Sequence, residues 1–190
     1  MLGESNSSTT TLAAIAAGVA FFLALAAMMP GMLLVILFGG GETELMPDEA
    51  LVLARGAFIW PLEHYGTEYV TSRFGPRNTG IQGASTNHQG IDIGAPSGTP
   101  ILASCGGVVL RSSYNNIRGY YVEIDHGNGL STLYQHMTAR ECEKGDVIMQ
   151  GEVIGRVGSS GVASGAHLHY EVRVNGTCYD PLQIFNQERT

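Results

Sequence analysis

No charged residue occurs between Glu4 and Glu42, and such a stretch cannot lie on the surface of a soluble domain. Residues 12–29 are an unbroken run of Ala, Leu, Ile, Val, Phe, Met and one Gly; Pro30-Gly31 interrupts it, and residues 32–38 resume it. As a helix the first run alone spans roughly 27 Å, against a hydrocarbon core of ~30 Å. It is apolar on every face, which a helix packed by one stripe on a soluble core would not be. A transmembrane helix with a proline kink or a proline-led exit fits. The rival, a cleaved signal peptide, finds a site-like Ala24-Leu25-Ala26 but lacks the basic leader, since residues 1–11 hold no Lys or Arg. Neither end has a Lys or Arg close by to set the orientation. The acidic cluster after Phe38 is compatible with an outward C-terminus.

Four segments follow from this: a polar tail at 1–11, a membrane anchor at 12–38, a linker at 39–58 and a globular domain at 59–190. Gly39-Gly40-Gly41 and the acidic stretch up to Glu49 read as a flexible tether. A short helix over 47–55, opened by Pro47-Asp48-Glu49, is expected within it. Charge divides unevenly: residues 1–54 carry five acids and no Lys or Arg, whereas residues 55–190 carry twelve acids and ten bases. A nearly neutral domain without a basic cluster lacks the footprint of a nucleic-acid binder, and that partner class is excluded. The three cysteines, Cys105, Cys142 and Cys178, are too few for a disulfide scaffold and fit no zinc knuckle. Small buried thiols and a Cys142–Cys178 bridge both stay open.

From Trp60 onward the texture is β. Short apolar segments at 100–103, 108–111, 120–125, 153–157 and 168–174 alternate with Gly-, Asn- and Ser-rich turns. Asn128-Gly129 and Asn175-Gly176 stand between β-prone runs, a strong hairpin signal. No long 3.6-residue periodicity appears after residue 55. The expected fold is all-β, an antiparallel sandwich or partial barrel.

Three segments carry chemistry. In His88-Gln89-Gly90-Ile91-Asp92 a glycine, β-branched residues and a nearby Pro96 argue for extended chain, where positions i and i+4 share a face. A nitrogen and a carboxylate oxygen can then meet on one ion; an ordinary surface pair reads the same way. His167-Leu168-His169 places two imidazoles on one face and Leu168 toward the core, so one can hold metal while the other faces substrate. Tyr134-Gln135-His136-Met137 likewise places Tyr134 and His136 on one face. His126, in Asp125-His126-Gly127-Asn128-Gly129, reads as a turn residue rather than a ligand.

These stretches resemble the lysostaphin/LytM-like zinc endopeptidases of bacterial peptidoglycan. The resemblance runs from about Ser72 to Leu182 and includes Ser72-Arg73-Phe74-Gly75-Pro76-Arg77, His88-Gln89-Gly90-Ile91-Asp92-Ile93 and Gly98-Thr99-Pro100-Ile101. It continues through Tyr134-Gln135-His136-Met137, Gly151-Glu152-Val153-Ile154-Gly155 and Gly165-Ala166-His167-Leu168-His169-Tyr170-Glu171-Val172. The resemblance implies one zinc ion held in a groove by His88, Asp92 and His169, with catalytic roles for His136 and His167. It gives Tyr134 a part in positioning the reacting group. Arg73 and Arg77 read either as loop arginines that meet a carboxylate on the wall peptide or as solvated ones. Glu171 is either a partner behind the metal ligands or a plain surface glutamate. Ala166 departs from the proline common at that place and removes no chemical group. The implied substrate is the peptide cross-link of peptidoglycan, and the implied location is the membrane, single-pass, with the catalytic domain facing the wall.

Two other classes are weighed against this. A non-catalytic relative would lack a residue of the zinc site, and all five positions are filled. A carrier domain would need a phosphorylatable His or a modified Lys at a hairpin tip, and the single lysine, Lys144, stands in no such motif.

Overall fold

In a computed structural model of the chain, residues 47–78 and 85–185 are described. The expected anchor at 12–38 lies outside them, and no helix among the described residues is long and apolar enough to cross a membrane. Helix α1 spans Pro47–Ala57, with Asp48 and Glu49 in its first turn, where acids favour a helix N-terminus. A single 3-10 turn, Thr67–Tyr69, leads into β1 (Val70–Ser72), β2 (Gly75–Pro76), β3 (Asn87–His88), β4 (Ile91–Gly94) and β5 (Pro100–Leu102). Then come β6 (Gly107–Asn115), β7 (Gly119–Asp125), β8 (Leu130–Met137), β9 (Ala139–Arg140), β10 (Val147–Ile148) and β11 (Val153–Arg156). The long β12 (His167–Val174), β13 (Thr177–Tyr179) and a closing turn of helix, α2 (Leu182–Phe185), complete the order.

The main sheet has eight strands in the order β1-β4-β12-β8-β7-β6-β10, with β13 beside the C-terminal half of β12. A second sheet, β5-β11-β9, contributes Ile101 and Ile154 to the core that Ile93, Val122, Ile124, Tyr134, Leu168 and Tyr170 of the main sheet also form. The described strand pairings are antiparallel, as expected for an all-β domain of this pattern. Both Asn-Gly pairs turn hairpins. Asn175 and Gly176 have φ of 49° and 76° between the paired residues Val174 and Thr177, the backbone twist that a two-residue turn needs.

Residues 47–57, assigned to a linker by sequence, belong to the folded body. Ala50, Leu51 and Ala54 of α1 are buried in the common core, so the folded body includes Pro47–Ala57 instead of starting at 59. The short helix expected at 47–55 forms, and burial of its apolar stripe joins it to the domain. The cysteines are free, and no Cys142–Cys178 bridge forms. Cys142 points at the Ile154 carbonyl and Cys178 at the Glu171 carboxylate, in different parts of the fold.

His126, read from sequence as a turn residue rather than a ligand, is a buried structural histidine at the start of that turn. It is buried, with Nδ1 donating to the Gly106 carbonyl at 2.9 Å and Nε2 bonded to Thr132 Oγ1 at 2.8 Å. Burial disfavours its charged form and brings its pKa down to about 4. The unfolded chain then binds more protons than the native one between about pH 6.5 and 4, so this contribution is intact above 6.5 and lost as pH falls through 4. The expected loss is about 3 kcal/mol. Urea unfolding of wild type and His126→Gln across that window should show a flatter pH dependence in the variant; parallel curves would remove His126 as the cause.

Candidate active site

His88 ends β3 and Asp92 lies in β4, with Gln89-Gly90 bending the chain between them. Strand alternation is therefore not what brings them together. His88 pairs with Gly75 in the small β2-β3 ribbon, while Asp92 stands directly opposite His169 in the main sheet. Direct cross-strand partners share a face, and the bend swings His88 over that face. Only glycine fits at the bend: a Cβ on Gly90 would lie 2.2 Å from the Tyr170 carbonyl oxygen and 2.9 Å from Glu171 Cγ.

The three side chains close a small triangle. His88 Nε2 is 3.0 Å from Asp92 Oδ1 and 2.9 Å from His169 Nδ1, which is itself 2.9 Å from Asp92 Oδ1. The outer atoms of each residue decide what faces inward. His88 Nδ1 sits 2.8 Å from the Arg73 carbonyl, which can only accept, so Nδ1 carries the proton and Nε2 turns its lone pair to the centre. His169 Nε2 donates to Glu171 Oε1 at 3.0 Å, leaving Nδ1 facing inward. Arg77 Nη1 holds Asp92 Oδ2 at 2.8 Å and leaves Oδ1 for the triangle. Two nitrogen lone pairs and a carboxylate oxygen thus point at one spot, which demands a positive charge there.

Electrostatics agree. Burial opposes ionisation of Asp92, yet the His169 and His88 rings, when a proton is held between them and the carboxylate, outweigh it and keep the carboxyl far below the usual carboxylate range. Burial likewise works against a charged His169, but Asp92 and Glu171 beside it raise its pKa on balance. Glu171 is held ionised, against its own burial, by His169 and Arg173. The triangle retains a proton or takes a cation in its place, and metal binding at such sites releases protons. The donor set fits a divalent metal: N, N and O atoms within 4.8 Å of one another, each ligand fixed from behind by a second group.

Two further histidines flank the triangle without joining it. The His136 and His167 rings lie 4.8 Å apart, and His167 Nε2 is 3.7 Å from Asp92 Oδ1. His136 Nδ1 donates to the Ser160 carbonyl at 2.8 Å and His167 Nδ1 to the Gly165 carbonyl at 2.9 Å, so both keep an acceptor Nε2. Burial lowers the His136 pKa to about 4, and its imidazole is neutral at pH 7.

Tyr134 does not enter this site. Its ring is fully buried in the core, and its hydroxyl accepts from the Ser104 amide at 2.9 Å and bonds Thr132 Oγ1 at 3.0 Å. The expected alternation fails because β8 bulges: Tyr120 pairs with Met137 and Val122 with Tyr134, leaving Gln135 and His136 opposite Tyr121 alone. His136 takes φ of 63°, a conformation that costs a non-glycine residue energy and re-aims its ring. Gln135, not singled out by sequence, occupies the site face instead and donates to Glu171 Oε1 at 2.7 Å. The Arg73 side chain is exposed and its backbone carbonyl holds His88, while the guanidinium at Asp92 belongs to Arg77.

The triangle sits in a groove with two arms. One, of about 180 Å³, runs past His136, Gln135, Arg118 and Val162; the other, of about 410 Å³, runs past His167, Thr71, Ser72 and Asn78. Arg77 borders both.

Known proteins resemble this chain in sequence and in fold. The chain is 44% identical over 116 residues to the peptidoglycan DD-endopeptidase ShyC of Vibrio cholerae serotype O1, an alignment covering 60% of this chain and 27% of that protein. Among solved structures, a zinc containing peptidase from Vibrio cholerae matches with a TM-score of 0.60 and 31% identity, over 65% of this chain and 39% of that one. The catalytic domain of lysostaphin, an antimicrobial peptidase from Staphylococcus simulans, matches with a TM-score of 0.57 and 25% identity, over 65% of this chain and 100% of that one. The chain thus spans about a quarter of the first relative's length. The family model described as Peptidase family M23 matches residues 86–181, which contain every residue of the triangle and both flanking histidines, and the chain belongs to that family.

Proposed function

We propose that this domain is a zinc endopeptidase that cleaves peptide cross-links of bacterial peptidoglycan, held at the cell membrane by residues 12–38 with the domain facing the wall. One observation carries the reading: three inward-facing ligand atoms, with two carbonyl-pinned histidines beside them that keep acceptor nitrogens. Three protein ligands are the arrangement of a catalytic zinc, which leaves a position for water. When bound, the ion acidifies a water and polarises the scissile carbonyl.

His88, Asp92 and His169 hold the ion. His136 and His167 handle the protons: one Nε2 accepts from the attacking water, and the resulting imidazolium donates to the leaving amine. The other, only when its Nε2 also carries a proton, donates to the oxygen on which charge develops. Glu171 fixes the ring of His169, and Arg77 fixes the carboxylate of Asp92. An extended peptide lies along the two arms with its scissile bond over the triangle.

The test is digestion of purified walls of differing cross-link chemistry, with mass analysis of the fragments. New amine and carboxyl ends at cross-links, abolished by a chelator and restored by zinc, are expected; cleavage confined to the glycan would overturn the reading. The tether is tested separately. The full chain should stay in membranes after a carbonate wash, while a chain starting at Pro47, which keeps α1 whole, should be soluble. A mature N-terminus after Ala26 or Ala27 would remove the tether and leave the enzyme.

A further inference from the structure

The smaller arm of the groove carries a positive charge that the protein does not neutralise. Its other charged groups are matched: Arg77 by Asp92 at 2.8 Å, and Glu171 by Arg173 at 2.6 Å. Arg118 lines the same arm, and among the described residues it has no carboxylate partner. Its guanidinium lies 5.4 Å from the centre of the Tyr121 ring, an apolar and π-rich support that leaves N–H donors for a ligand. A cation in this place is notable in a chain of net charge -7.

Arg118 is also fixed relative to the reacting centre. Its carbonyl accepts from the His136 amide at 2.9 Å, so its backbone is bonded to that of a proton-handling residue. The Asn115 side chain caps the turn, accepting from the Ile117 amide at 3.0 Å and the Arg118 amide at 2.8 Å. The Ile117 carbonyl in turn accepts from the Val162 amide at 2.9 Å and ties the hairpin tip to the segment carrying Ser160. Ile117, 68% exposed, and Val162 add an apolar edge to the same arm. With about 180 Å³, the arm is smaller than a cavity for a drug-sized ligand and suits one residue of an extended peptide.

We propose that Arg118 is a specificity-determining residue, which binds a free carboxylate on the substrate residue seated in the His136 arm, next to the scissile bond. The apolar edge takes the aliphatic part of that residue, and the guanidinium takes its anionic end in a charge-assisted pair. The assignment rests on the peptidase reading above and narrows it to cross-links whose neighbouring residue keeps a carboxyl group, rather than an amidated or glycine-only bridge.

The experiment compares two matched cross-linked stem peptides, identical except that this carboxyl is free in one and amidated in the other. It uses the zinc-loaded wild type, Arg118→Gln and Arg118→Lys. Wild type should prefer the acid over the amide by ~10–100-fold in kcat/KM, the value of a hydrogen bond to a charged group, with most of the difference in KM. The preference should fall close to one in R118Q and recover in part in R118K, which restores charge without the planar fork. Zinc content and melting temperature of both variants, equal to wild type, exclude a folding effect. A wild type that cleaves acid and amide alike would overturn the assignment and leave the peptidase reading standing. So would a preference that R118Q retains. A wild type loaded with zinc and inactive on both peptides would overturn the peptidase reading as well.

Discussion

His88→Ala and Asp92→Ala will each cost the domain its metal and its activity together. Each residue supplies one of the three inward atoms, spaced 2.9–3.0 Å apart, and no other carboxylate, thiol or imidazole among the described residues completes that cluster. Loss of the ion removes the polarised carbonyl and the acidified water, several kcal/mol of charge stabilisation, so the rate should fall by more than about 10³-fold. Asp92→Ala carries a second penalty. It leaves Arg77 without its anion and two buried imidazoles facing each other with no charge between them. Zinc content after gel filtration and wall-digestion rate are the paired measurements. Added zinc should raise the melting temperature of wild type, by linkage to the native state, and leave both variants unmoved. A variant that keeps one zinc per chain would show that the residue is not a ligand.

Much of this site could be read from residue order alone, and the failures have physical causes. His88 and Asp92 could be paired from their types and spacing, whereas His169 rather than His167 as the third member came only from the family resemblance. The route by which they meet was not legible: alternation along one strand predicted a shared face, whereas a bend at Gly90 and a cross-strand pair at Asp92 and His169 produce it. Tyr134 was misplaced for a related reason. A period of two holds only along an unbroken ladder, and the bulge at Gln135 and His136 exchanges which residues face the groove. Nothing in a Tyr-Gln-His-Met run signals a bulge, because the strain at His136 is held by tertiary bonds to Ser160 and Arg118. The pairing of Arg77 with Asp92 was not foreseen, since it depends on how the two-residue strand β2 places Arg77 beside β4. The hairpins were legible at once: an Asn-Gly pair states its turn geometry locally.

His136→Ala and His167→Ala, in contrast to the ligand variants, should leave zinc near one per chain and still cost roughly 10²–10⁴-fold in rate, the usual share of a positioned acid–base group. The geometry separates the two roles. Neither ring supplies an atom to the triangle, and each has its Nδ1 proton committed to a backbone carbonyl, 2.8 Å from Ser160 for His136 and 2.9 Å from Gly165 for His167. Each therefore offers Nε2 as the working atom, from opposite arms of the groove and with ring centres 4.8 Å apart. His136, whose pKa burial lowers to about 4, stays an uncharged proton acceptor at neutral pH. Removing both rings should cost less than the product of the single losses, because groups that act on one proton path are not additive. Ala at position 136 inherits the φ of 63° without the ring's bond to Ser160, so some loss of stability in that variant is expected, and rates should be measured well below its melting temperature. If either single variant lost its zinc, that histidine would be a ligand and the division of roles wrong. If both kept full wall-digesting activity with metal in place, proton handling by this pair would have to be abandoned.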